Sequence, residues 1–95
     1  MSSFESSLSA AAPPAQATPP LQALWHGLRG DWNTAHEIAQ SGSDRDSAWV
    51  HAWLHRVEGD LANAGYWYDR AGKPMAQGET RAEGLAIAGA LGGNE

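Results

Sequence analysis

A chain of 95 residues allows one compact domain. Its formal net charge of −5, with only six lysine and arginine residues, argues against nucleic acid as a partner, because phosphate binding needs several cations on one face. Cysteine is absent, which excludes disulfides and thiolate metal ligands.

Residues 1–20 read as a disordered Ser/Ala/Pro-rich tail. Pro13, Pro14, Pro19 and Pro20 forbid a continuous helix and favour extended polyproline conformations. Met1–Glu5 carries no positive charge and leads into no signal-like apolar run. Phe4 and Leu8 are nevertheless spaced to form one apolar stripe on a short helix, so the alternative is a segment that docks on the domain itself.

Residues 21–92 form the periodic domain. Leu21, Leu24, Trp25 and Leu28 follow i, i+3, i+4, i+7 spacing and predict a first helix, which Gly30 ends. Asp31 caps a second helix over Trp32–Gln40, with Trp32, Ala35, Ile38 and Ala39 inward. Ser41-Gly42-Ser43-Asp44 is a turn. In a third helix, Asp46–Glu58, the residues Trp49, Val50, Trp53, Leu54 and Val57 make a band too wide for one wet face, so this helix is expected to be central. Gly59-Asp60 leads to a fourth helix, Leu61–Ala71, on which Trp67 and Tyr68 point inward and Tyr66 lies near the surface. Thr80 and Glu83 fit a capping box for a fifth helix ending at Leu91, with Leu85, Ala88 and Leu91 as its buried stripe. The apolar run Leu85–Leu91 is too short to span a bilayer.

A shift of 29 residues, from Gly30 to Gly59, brings two units into register. It superimposes Gly30-Asp31 on Gly59-Asp60, His26 on His55 and Ala35 on Ala64. In Gly59-Asp60-Leu61, Ala64, Tyr68, Ala71 and Pro74 the second unit resembles a tetratricopeptide repeat. His51 and His55 depart from that pattern, and the period is shorter than the usual one of about 34. The runs Gly30–His36, His51–Arg56 and Tyr66–Gly72 also resemble a group of small bacterial proteins of unassigned function. The expected fold is therefore all-α: two antiparallel, tetratricopeptide-like helix hairpins with a C-terminal capping helix.

The histidines are the residues with chemistry to weigh. His51 and His55 stand one helical turn apart on one face, the spacing of two-histidine metal sites, and the repeat register nominates His26 beside them. A further ligand is available in His36, Glu37 or Glu58, and imidazole donors suit zinc, nickel or copper(II). Ala52 stands where a zinc protease would place its glutamate base, so that chemistry is excluded. No catalytic or cofactor motif is present.

The resemblance implies a non-enzymatic helical-repeat module that binds a protein, a peptide or a second copy of itself, with Trp25, Trp49, Arg56 and Tyr66 as contact residues. The alternative is a small metal- or ligand-binding protein using His51, His55 and His26. No cofactor, nucleic acid or membrane partner is expected, and the expected location is cytoplasmic.

Overall fold

The computed structural model describes residues 3–14 and 16–92, which form six helices. These are α1 (Ser3–Ser7), α2 (Pro19–Leu28), α3 (Trp32–Ser41), α4 (Arg45–Glu58), α5 (Leu61–Ala71) and α6 (Thr80–Ala90). No strand occurs among the described residues, and no helix among them is long and apolar enough to cross a membrane.

The helix boundaries follow from side chains that satisfy loose backbone groups. Asp31, Asp44 and Asp60 accept from the backbone N–H of Thr34 (3.3 Å), Ser47 (3.1 Å) and Asn63 (3.3 Å), capping α3, α4 and α5. Both Gly-Asp junctions are built alike. Gly30 and Gly59 adopt φ of 89° and 90°, a left-handed conformation that glycine enters without steric cost. Each junction then closes through the aspartate amide, Asp31 N to His26 O and Asp60 N to His55 O, both 2.9 Å.

Three expectations at this level are corrected. The Thr80–Glu83 capping box does not form: α6 is N-capped by Glu79 without a side-chain bond. Glu83 instead accepts from Arg56 Nη1 at 2.8 Å and from the Tyr68 hydroxyl. Charge-assisted bonds to those two enclosed donors outcompete an exposed helix end. The buried stripe of α6 is Gly84, Ile87 and Ala88, with Leu85 only half-buried. Val57, expected in the α4 band, is 41% exposed because it lies past the last turn covered by neighbours.

α2 packs on α3 and α4 on α5, α3 adjoins α4, and α6 lies across α2 and α4. Trp53 sits where α2, α4 and α6 converge. It is fully buried, and its indole N–H donates to Thr80 O at 2.7 Å. Gly27 and Gly84 flank the ring so closely that a Cβ on either would stand 2.6 or 2.8 Å from it. Leu24, Val50, Leu54 and Ile87 complete this core, and a smaller cluster of Ala52, Ala64 and Tyr68 joins α4 to α5.

The N-terminal segment also differs from the tail that composition suggested. Phe4 is 1% exposed within the main core, and Leu8 packs against it. The Trp25 indole N–H donates to Ser7 O at 3.1 Å, and Arg29 donates to Ala10 O while its guanidinium covers the Trp25 ring at 4.4 Å. The physical reason is an apolar stripe matched to a tryptophan that needs an acceptor for its N–H once buried.

Two variants test this packing. Phe4→Ala should lower stability by about 3 kcal/mol and red-shift tryptophan emission, whereas a free leader would leave both unchanged in urea titration. Gly84→Ala should cost about 1–3 kcal/mol by overpacking against Trp53, read from the same transition.

Candidate functional site

Antiparallel helices joined by a tight turn bring together residues equally distant from that turn. His36 on α3 and His51 on α4 are such a pair, flanking the Gly42–Asp44 connection. Their Nε2 atoms stand 3.0 Å apart, sharing one proton between two rings. His55, one turn further along α4, closes the group: its ring centroid lies 4.9 Å from His51 and 5.3 Å from His36. One nitrogen from each ring can be chosen so that all three lie within 4.8 Å of one another.

The surroundings hold these rings in place. Trp32 stacks on His36 at 4.6 Å and 11°, and Trp67 stacks on His51 at 3.9 Å and 18°. Trp32 is itself anchored by its indole N–H to Leu54 O at 2.7 Å. His55 donates Nδ1–H to Glu58 at 2.8 Å, which sets its tautomer and leaves the Nε2 lone pair available. His51 and His55 are buried, and His36 is half-buried.

Electrostatics favour the neutral forms of His51 and His36. Burial pushes the His51 pKa from the ordinary 6.5 down to about 4, and the neighbouring His36 and His55 push it the same way. Burial also lowers His36, helped by His55 and opposed by the carboxylates of Glu58 and Glu37. A metal needs this protonation state in its ligands. A tetrahedral zinc ion with Zn–N of about 2.0–2.1 Å sets its donors about 3.3 Å apart, close to the existing separation of His36 and His51. The cluster therefore offers three nitrogen donors, one oriented by a carboxylate.

A second grouping, His55 with Glu58 and Asp60, reuses His55 and draws on two exposed carboxylates. Glu58 is already engaged with Nδ1 of His55, so its place is behind that ring.

The structure redistributes the residues singled out from sequence. His51 and His55 are together as expected. His26 is not with them: it lies on α2, edge-on to Trp25 at 4.9 Å, because α3 and not α2 carries the ring facing His51. Glu37 is exposed and acts on His36 only through its charge. Among the nominated contact residues, Trp25 is buried under the N-terminal segment, and Arg56 is committed to Glu83 and Gly78 O. Trp49 is half-buried with Lys73 lying 4.3 Å over its ring. Tyr66 is 54% exposed beside Arg70. Trp32 and Trp67, the two walls of the cluster, carried no distinguishing sequence signal beyond apolar spacing.

Comparison with family models, curated proteins and solved structures finds no match for this chain.

The depressed pKa of His51 gives stability a defined pH dependence. Above pH 6.5 the residue is neutral in both folded and unfolded chains; between 6.5 and about 4 the unfolded chain takes up a proton that the folded one refuses. Stability should therefore fall as pH drops through that window. The difference in urea midpoint between wild type and His51→Gln should change across it and level off above it.

Proposed function

We propose that this chain is a small, non-enzymatic metal-binding protein that holds one divalent transition-metal ion between His36, His51 and His55. The observation that carries the reading is the convergence of three imidazoles from two helices, with donor nitrogens within 4.8 Å, in surroundings that disfavour the protonated forms of His36 and His51. An all-imidazole donor set matches zinc, copper(II) and nickel, and not the oxygen-seeking magnesium or calcium. Glu58 serves as the outer carboxylate that orients His55.

A second reading concerns the surface. The pairing of α2 with α3 and of α4 with α5, joined at two like Gly-Asp turns, supports a tetratricopeptide-like module that binds a protein, a peptide or a second copy. Leu61 and Tyr66, 56% and 54% exposed on α5, are the residues that favour it. Trp25 and Arg56 drop out as contacts because both are spent inside the fold.

Titration with zinc, nickel and copper(II) at pH 7.5, followed by tryptophan fluorescence and chelator competition, tests the metal reading. One ion per chain should bind, and alanine at His36, His51 or His55 should weaken binding by about 100-fold or more. Glu58→Gln should cost about 10- to 100-fold. His26→Ala should leave affinity unchanged. A flat response in the wild type would remove the metal reading.

A further inference from the structure

Apart from the histidine cluster, the same three helices build a second polar site. A pocket of about 260 Å³ is lined by Gln40, Ser43, Arg45, Ala48, Trp67 and Arg70, together with Asp44. The histidines do not line it: the Trp67 ring lies against His51 and is also a wall of this pocket, which separates the two sites. α3 supplies Gln40 from its last turn, α4 supplies Arg45 and Ala48 from its start, and α5 supplies Trp67 and Arg70. Arg45 reaches across to α5. Its Nη1 stands 3.8 Å from where a Cβ on Gly72 would be, and Gly72 caps the end of α5 that carries Arg70.

The charge of this pocket is unusual for its chain. The sequence has 11 aspartate and glutamate residues against six lysine and arginine, so carboxylate partners are plentiful. Arg56 has one, in Glu83. Arg45 and Arg70 share a pocket, yet neither forms an ion pair among the described residues. Asp44 does not neutralise them, because its oxygens accept from Ser47 N–H at 3.1 Å and from the Ser47 hydroxyl at 2.7 Å as the cap of α4. Asp69, next to Arg70 in sequence, is exposed and unpaired with it. The Arg70 guanidinium donates to the Tyr66 hydroxyl at 3.4 Å and lies against the rings of Tyr66 (5.7 Å) and Trp67 (5.4 Å). Those contacts restrain it and leave its other N–H groups to donate. The positive end of the α4 dipole lies at the same pocket, since Arg45 is the first residue of that helix.

We propose that this pocket binds a small phosphate monoester, with the phosphoryl group held between Arg45 and Arg70. Such a group carries about −1.5 to −2 charge near neutral pH, which matches two guanidinium ions, whereas a carboxylate carries a single charge. Its three terminal oxygens let each arginine donate a pair of N–H bonds, the geometry that the planar fork favours. The Gln40 amide and the Ser43 hydroxyl add uncharged donors. Ala48 and Trp67 supply an apolar wall for the alcohol portion of the ester. The inference stands apart from the metal reading, because no histidine takes part in it.

The test is calorimetric titration of the full chain with glycerol 3-phosphate, inorganic phosphate and acetate, at low ionic strength with a chelator present. Glycerol 3-phosphate should bind one per chain, at least about tenfold tighter than acetate and more tightly than inorganic phosphate. Arg45→Gln and Arg70→Gln should each weaken it by about tenfold or more, the loss of one set of charge-assisted bonds. Arg70→Lys, which keeps the charge and loses the fork, should weaken it as well. Arg81→Gln, at an arginine outside the pocket, should leave affinity unchanged, and circular dichroism checks that each variant is folded. The inference is overturned if the wild type binds no glycerol 3-phosphate, or if acetate or inorganic phosphate binds as tightly. Wild-type affinity in both glutamine variants overturns it too.

Discussion

The central constraint on this structure is that α4 has almost no wet face. From Ser47 to His55 every residue except Trp49 is buried, although the segment includes a serine, two histidines and the indole N–H of Trp53. A polar group taken out of water without a partner costs free energy, so each of these needs a partner supplied by another part of the chain. Ser47 bonds Asp44, Trp53 bonds Thr80, His51 meets His36 and His55 meets Glu58. No buried side-chain nitrogen or oxygen among the described residues is left without a partner.

This requirement divides the helix into two functional sides. On one side Val50, Trp53 and Leu54 join the apolar core, and Gly27 and Gly84 let α2 and α6 pack closely against the Trp53 ring. On the other side His51 and His55 face the trough bordered by α3 and α5, where aromatic walls replace aliphatic packing. The core side holds the helix rigidly enough for the imidazole side to keep its arrangement. Between the two, the ion pair of Arg56 with Glu83 and the hydroxyl of Tyr68 tie α4 and α5 to α6.

The helices were legible in the sequence because their periodicity and their caps agree: all five predicted spans fall within two residues of those observed, and Leu61–Ala71 coincides with α5. The site was legible only where it is local. His51 and His55 share one helix, so their spacing places them together whatever the tertiary structure. The third ring depends on which helix packs across α4. Repeat register pointed to His26, but equivalent positions in successive units need not touch. Counting outward from the Gly42–Asp44 turn points to His36, and that signal was available. In the N-terminal segment two sequence signals pointed apart: bulk composition suggested a tail, whereas the spacing of Phe4 and Leu8 suggested docking, and Phe4 is buried in the core.

The junction between α4 and α5 ties the cluster to backbone motion. The carbonyl of His55 accepts the amide of Asp60, and the cap amide of Gly59 also bonds back to Arg56 O and His55 O. Helices fray from their ends, and here the end includes the residue that bears one ring and, three positions on, the carboxylate that aims it. Opening of one terminal turn would swing His55 and Glu58 away together while His36 and His51 stayed clamped between their indoles. For an ion bound as proposed, residence time would then follow the amide protection of Gly59 and Asp60, a kinetic property written in the main chain and separable from the strength of the three nitrogens.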